Sequence, residues 1–142
     1  MILVDATAWI EYLRATGGPV DLRVRELIAA REPLAVTDLV LMKVLAGARD
    51  DAHRHRLRRL LAGCAYLPVE GPGDYERAAD LYRRCHAAGI KIRRLPECVI
   101  ATVAIRHGAA LLHADPGFDD IARCTPLQLA ALGGTDGARR SQ

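Results

Sequence analysis

Three carboxylates in this chain stand where they could act together. Asp5 follows the apolar run Ile2-Leu3-Val4, Asp115 follows the run Ala109 to Ala114, and Glu97 opens an apolar-periodic stretch just after Pro96. An all-apolar run this short reads as a strand buried on both faces, as in a parallel sheet. Both aspartates then lie at carboxyl ends of strands, where open α/β sheets gather their ligands. Carboxylates drawn close together repel and need a cation. Oxygen-only donors select Mg²⁺ or Mn²⁺ over zinc, and such an ion can activate a water and hold a phosphate for in-line attack. Each residue also has a plainer reading. Asp5 can simply cap the helix that follows, and Glu97 is favoured at a helix N-terminus by a few tenths to about 1 kcal/mol. Asp119, one helical turn past Asp115, either joins the set or is a solvated helix residue, like Asp120.

The elements that must position these acids alternate in type. Thr7 is a plausible N-cap for a first helix from Ala8 to about Arg14, and Thr16-Gly17-Gly18-Pro19 is a turn cluster. Val20 to Arg31 has helical spacing. Leu34-Ala35-Val36 is a second strand, and Thr37 caps a helix from Asp38 to about Ala48, with Lys43 off the centre of its apolar stripe. Asp50 to Ala62 is a basic amphipathic helix ending at Gly63, and Cys64 to Val69 is a third strand. Pro72 to Ala88 is a helix whose buried side is expected to be Tyr75, Ala78, Ala79, Leu81 and Tyr82. Ile90 to Leu95 is a basic connector. Pro96 suits the first turn of a helix reaching His107, with Gly108 as its stop. Ala109 to Ala114 is a fourth strand, Pro116 to Arg123 a short helix, and Pro126 to Leu129 a last edge strand. Strands alternating with helices imply an α/β fold: a mostly parallel central sheet flanked by helices on both faces, with every strand C-terminus on one edge. Residues 1–132 form one domain in this reading, and 133–142 a flexible polar tail.

Composition sets the bounds. A chain of 142 residues, 51% of them hydrophobic, can bury a real core and is not a disordered polypeptide. Aromatics are only 4%, so that core is built from Leu, Val, Ile and Ala. No apolar run approaches the roughly 20 residues a membrane span needs. The N-terminus lacks a basic leader, so a cytoplasmic location is expected. Cys64, Cys85, Cys98 and Cys124 lie far apart with no Cys-x-x-Cys pair, a spacing wrong for zinc and thin for a disulfide framework, so free buried thiols are expected. The net charge of +3 is mild, yet the basic residues are nearly all arginine and clustered, as at Arg54, Arg56, Arg58 and Arg59, and at Arg93 and Arg94. Such runs are ordinarily solvated helix faces, although arginine also suits phosphate. His107 and His113 read as a helix-end and a strand residue. Neither a Ser-His-Asp spacing nor a glycine-rich phosphate loop is evident.

Four segments carry a resemblance. They are Ile2-Leu3-Val4-Asp5-Ala6-Thr7-Ala8-Trp9-Ile10, Thr37-Asp38-Leu39-Val40-Leu41-Met42-Lys43-Val44-Leu45-Ala46-Gly47, Leu95-Pro96-Glu97-Cys98-Val99-Ile100-Ala101, and Ala109-Ala110-Leu111-Leu112-His113-Ala114-Asp115 with Phe118. In this order the sequence resembles a PIN-domain ribonuclease, specifically the VapC-type toxin of a bacterial toxin–antitoxin pair, over residues 1 to about 130. The resemblance implies a PIN-like domain that cleaves RNA endonucleolytically with Mg²⁺, or Mn²⁺ in its place. By position, Asp5 and Asp115 match the family's acids, and Thr7 matches a hydroxyl that supports the reacting water. Glu97 falls where the family usually has Asp. It also implies a cognate VapB-type antitoxin, lying across a groove for which Trp9 and Tyr12 are the candidate walls, and commonly a homodimer. Arg54, Arg58, Arg93 and Arg94 become candidates for RNA backbone contacts.

Lys43 departs from the resemblance, because the family places a glutamate there. Three acids and one ammonium, with a net charge of about −2, suit one divalent ion rather than two. The lysine could also act as a built-in counter-ion near Asp5. Two functions therefore stay open: a metal-dependent endoribonuclease toxin impaired at Lys43, or a PIN-fold binding module that keeps only antitoxin and RNA binding. A different α/β phosphotransferase would want an aspartate where Thr7 stands.

Overall fold

The structure is a computed structural model, and it describes residues 1–133. Four short strands, β1 (Ile2–Val4), β2 (Leu34–Val36), β3 (Ala65–Tyr66) and β4 (Ala110–Leu112), form one sheet in the order β3-β2-β1-β4. All three pairings are parallel, with Ile2 opposite both Leu34 and Ala110. The apolar runs explain the centre of this sheet: β2 is fully buried, and β1 and β4 nearly so. Only the short edge strand β3 is exposed.

Among the described residues seven helices surround the sheet: α1 (Ala6–Leu13), α2 (Pro19–Ala29), α3 (Asp38–Ala46), α4 (Asp51–Ala62), α5 (Gly73–Ala87), α6 (Leu95–His107) and α7 (Pro116–Cys124). Their ends follow local chemistry. Asp50 caps α4 by accepting from His53 N–H, and Gly108 stops α6 in the left-handed conformation at φ 62°. α6 is the central helix, buried at every position from Glu97 to Ala104. It therefore carries a carboxylate inward at its first turn. None of these helices is long and apolar enough to cross a membrane.

Several expectations change. The stripe α5 buries is Asp74, Ala78, Leu81 and Cys85, whereas Tyr75 is exposed. The phase shifts because Asp74 is buried and paired: Arg106 donates to it at 2.8 and 3.0 Å, and Glu70 N–H at 2.8 Å. The expected strand Pro126 to Leu129 contracts to one parallel bridge between Leu111 and Leu129, since Pro126 has no N–H to give a ladder. The cysteines are not all free. Cys85 and Cys124 form a disulfide with Cα atoms 5.7 Å apart, tying the end of α5 to the end of α7, while Cys64 and Cys98 remain thiols. Separation along the chain concealed this pair because α5 and α7 pack together in space. The tail expected at 133–142 lies outside the described residues except for Gly133.

Candidate active site

Because β1 and β4 pair in register, with Val4 opposite Leu112, the chain leaves both strands side by side. Asp5 N–H donates to Leu112 O at 2.9 Å as it leaves. Asp5 then caps α1, which begins at Ala6 rather than Ala8. Its Oδ2 accepts from Thr7 N–H at 3.1 Å and from the Thr7 hydroxyl at 2.6 Å. Asp5 is thus the cap that Thr7 was expected to be. Thr7 is instead a bridge, for its Oγ1 also accepts from Ala114 N–H at 3.0 Å, joining the β1–α1 and β4–α7 corners.

Asp115 caps α7 by accepting from Gly117 N–H at 2.9 Å. From the other side α6 delivers Glu97, buried to 4% exposure, with its carboxyl directly over Gly117. A Cβ at position 117 would collide with Glu97 Oε2 and lie 3.0 Å from its carboxyl carbon. Gly117 is therefore the bare floor on which Glu97 rests, although its backbone conformation is ordinary. Sequence reading missed this residue, and the available signal was a glycine two places after an acid and Pro116.

Glu97 and Asp115 share a hydrogen bond. Burial, then that hydrogen bond and the charge of Asp115, push the Glu97 carboxyl up to about 7 against the opposing charge of Arg94, and Asp5 adds to the rise. Burial alone would also raise Asp115, but the hydrogen bond to Glu97, the Gly117 N–H and the charge of Arg94 hold it below the ordinary carboxylate range. Glu97 is thus the proton holder of the pair, the expected outcome for two carboxylates in one site. Asp5 is 2% exposed, and its Oδ1 is buried with no partner. An orphaned buried carboxylate oxygen is costly unless a cation meets it. Oxygen donors of this kind fit a hard divalent ion. Among the described residues, however, no group of three or more His, Cys, Asp or Glu side chains is drawn tightly enough to hold one.

The remaining candidates divide. Arg94, the N-cap residue of α6, has its guanidinium 4.0 Å from Asp115 Oδ2. Arg93 is exposed beside it, and Arg54 and Arg58 lie on the exposed face of α4, away from its buried Leu57 and Leu61. Lys43 is exposed on α3 and, among the described residues, makes no ion pair with Asp5, Glu97 or Asp115. It lines a groove of about 450 Å³ with Ile10, Leu13, Arg14, Arg49 and His53. Trp9 is 1% exposed and packs edge-on against Tyr12, with ring centroids 6.1 Å apart. Its position in the first turn of α1 turns the indole into the core, where it borders a separate cavity of about 460 Å³ with Ile28, Leu34 and Leu60 rather than the Lys43 groove. Ile10 and Leu13 are the apolar residues that α1 presents there. Tyr12 is half-buried beneath the Arg25 guanidinium.

A parallel α/β sheet with acids at neighbouring strand ends matches a described family: the model of the PIN domain fits residues 2–123. The chain belongs to the PIN domain family. Within it, this chain is 44% identical over 135 residues to Ribonuclease VapC11 of Mycobacterium tuberculosis, covering 93% of this chain and 99% of that protein. VapC ribonuclease Mb1587 of Mycobacterium bovis is similar to the same extent. Ribonuclease VapC51 of Mycobacterium tuberculosis is 30% identical over 116 residues, or 80% of this chain and 83% of that one. Among solved structures, VapBC2 from Rickettsia felis, bound to a promoter DNA fragment, superposes with a TM-score of 0.71 at 17% identity, covering 92% of this chain and 98% of that chain. FitAB bound to the IR36 DNA fragment gives 0.70 at 18% identity, covering 93% and 95%. These structural likenesses show the shared fold.

Proposed function

We propose that this chain is the toxin of a type II toxin–antitoxin pair: an endoribonuclease that hydrolyses RNA phosphodiester bonds at Asp5, Glu97 and Asp115. The observation that carries the reading is the acidic corner itself, where Asp5 Oδ1 is buried without a partner and the buried Glu97 carboxyl packs over Gly117, from whose N–H Asp115 accepts. The near-complete match to proteins named VapC ribonucleases supports the substrate class. Drawn closer than they stand in this structure, the three carboxylates would hold Mg²⁺, with Mn²⁺ as a substitute, which would supply Lewis-acid stabilisation of the phosphodiester and acidification of a water.

The chain's own residues supply the rest. Thr7 fixes the Asp5 carboxylate by its hydroxyl and the β4–α7 corner by its oxygen, so both acids keep one geometry. Glu97, whose carboxyl is raised to about 7, would hold the ion as a carboxylate, its proton passing to solvent. Arg94, close to Asp115, is placed to meet a phosphate, and Arg93, Arg54 and Arg58 extend a basic path for the RNA backbone. Lys43 stands where the resemblance calls for a glutamate, withholding a fourth carboxylate and favouring weak, single-ion binding. That substitution also favours the second reading, a binding module that retains RNA and antitoxin without efficient cleavage. A VapB-type antitoxin would lie across α1, in the groove walled by Ile10 and Leu13 and near the half-buried Tyr12 of the same helix. A homodimer working in the cytoplasm, with residues 1–132 as the nuclease domain, completes the proposal.

The test is cleavage of total RNA by the full chain. Cutting in Mg²⁺, its loss in EDTA and in Asp115→Asn, and a gain in Lys43→Glu are expected. Equal cutting with and without Asp115 would sink the site. Absence of cutting even in Lys43→Glu would leave the binding module standing.

A further inference from the structure

A second cavity opens beside Asp115, about 300 Å³ in volume, and the acidic corner leaves it unexplained. It is lined by His113, Asp115, Pro116, Asp119, Leu129 and Leu132. The leucines reach it because the chain after α7 returns along β4. Leu111 N–H donates to Gln128 O and Ala130 N–H to Leu111 O, both at 2.9 Å. That return sets two leucines beside the acids with 37% and 47% of their surface in solvent. Leucines left this open next to a polar centre suit a flat apolar partner. The polar wall is ordered as well. His113 Nδ1 accepts from Asp115 N–H at 3.0 Å, so the neutral ring carries its proton on Nε2, which faces Asp119 Oδ1 at 3.4 Å. Phe118, 5.3 Å from the His113 ring, holds that ring in place. The histidine thereby steadies a carboxylate that stays 59% exposed at the cavity.

We propose that this cavity is a nucleobase subsite for the residue next to the scissile phosphate, and that Asp119 makes it select guanine. The proposal rests on the nuclease reading, because Asp115 borders both the acidic corner and the cavity. The volume sits at the small end of ligand pockets, which run from about 300 to 1,000 Å³. That suits one base rather than a longer stretch of chain. Single-stranded RNA is read by stacking bases on flat or apolar side chains and by hydrogen bonds to their Watson–Crick edges. Guanine alone among the four bases offers two adjacent donors there, N1–H and the N2 amine, and a carboxylate is a pair of acceptors. Adenine, cytosine and uracil each put an acceptor against Asp119 and are repelled. Asp119 is thus a specificity residue, and Leu129 and Leu132 are the stacking wall.

Short fluorescent RNAs of uracil with a single guanine, inosine or adenine test this, titrated with the full chain in Ca²⁺ so that binding is read apart from cleavage. Inosine lacks only the N2 amine. Guanine RNA is expected to bind from about fivefold to about a hundredfold tighter than inosine or adenine RNA, the range of a bidentate base contact. Asp119→Asn, which offers one donor and one acceptor, should erase that ratio. Leu132→Ala should weaken guanine RNA while keeping the ratio. Equal binding of guanine and inosine RNA, or a preference that survives Asp119→Asn, overturns the proposal. The same RNAs in Mg²⁺ separate the two claims. Cutting without base preference, by the chain or by Lys43→Glu, sinks the subsite alone, whereas guanine-selective binding with no cutting by either sinks the nuclease reading and leaves a guanine-binding pocket.

Discussion

Placing a methyl group under Glu97 probes the site from its floor. In Gly117→Ala the new Cβ meets Glu97 Oε2 head-on and comes within 3.0 Å of the carboxyl carbon and 3.2 Å of Oε1. Glu97 is 4% exposed, so its carboxyl cannot swing aside freely. Overpacking of this kind costs about 1–3 kcal/mol. Gly117 lies in the first turn of α7 with no positive φ, so alanine otherwise gains up to about 1 kcal/mol from helix propensity. Glu97→Asp withdraws the carboxylate by one methylene. Gly117→Ala should therefore destabilise the native chain and be neutral or stabilising in the Glu97→Asp background. Urea unfolding of the four proteins in this cycle gives the coupling, expected to be at least about 1 kcal/mol. Effects that add to within about 0.5 kcal/mol would mean that Glu97 does not rest on Gly117.

Thr7→Val keeps the shape of the side chain but strips Asp5 of a charge-assisted hydrogen bond at 2.6 Å and Ala114 of its acceptor. A loss of about 2 kcal/mol in urea unfolding is expected, with most of it restored by Thr7→Ser. Asp74 is wholly buried, and although burial alone would raise its carboxyl, Arg106 and the Glu70 N–H hold it below the ordinary range. A depressed carboxyl stabilises the fold above its unfolded value of about 3.9, and that contribution fades as pH falls further toward the folded value. The native chain should thus lose stability below about pH 4 more steeply than Asp74→Asn, as read by circular dichroism against pH. The Cys85–Cys124 bond spans a sequence separation of 39 residues. Chain entropy for a loop of that size corresponds to about 4 kcal/mol, so Cys85→Ser with Cys124→Ser should lower the urea midpoint markedly; an unchanged midpoint would reject the link.

Most of the frame was legible because the strands are short, apolar and separated by clear helix signals. Val4 followed by Asp5 is a strand end in the chain itself, and β4 stops at Leu112, two residues short of the expected Ala114, so that Asp115 follows after a short turn. Misreadings arose where tertiary pairing overrides local pattern. Asp74 looks like a solvated residue until Arg106 arrives from 32 positions away, and that one pair rephases the buried stripe of α5. Nothing along the chain announces that Cys85 and Cys124 meet, because helix packing brings them together. Trp9 could be core or groove by spacing alone, and in the fold it is buried to 1% exposure at the edge of a cavity. The Thr7 bridge and the Gly117 floor are contacts across the fold, which no local motif encodes. Lys43 was read correctly as lying off the apolar stripe, yet the cation beside Asp115 proves to be Arg94, supplied by the N-cap position of α6.

Calorimetric titration of Mn²⁺ into the full chain at pH 7, in two buffers of different ionisation enthalpy, tests the acidic corner most directly. With Glu97 raised to about 7 beside Asp115, one ion should bind per chain and expel a fraction of a proton. Asp5→Asn should weaken that binding at least tenfold, and Glu97→Gln should abolish the proton release. Binding that is unaltered by Asp5→Asn, or that releases no proton at all, would mean these carboxylates are not the cation's seat.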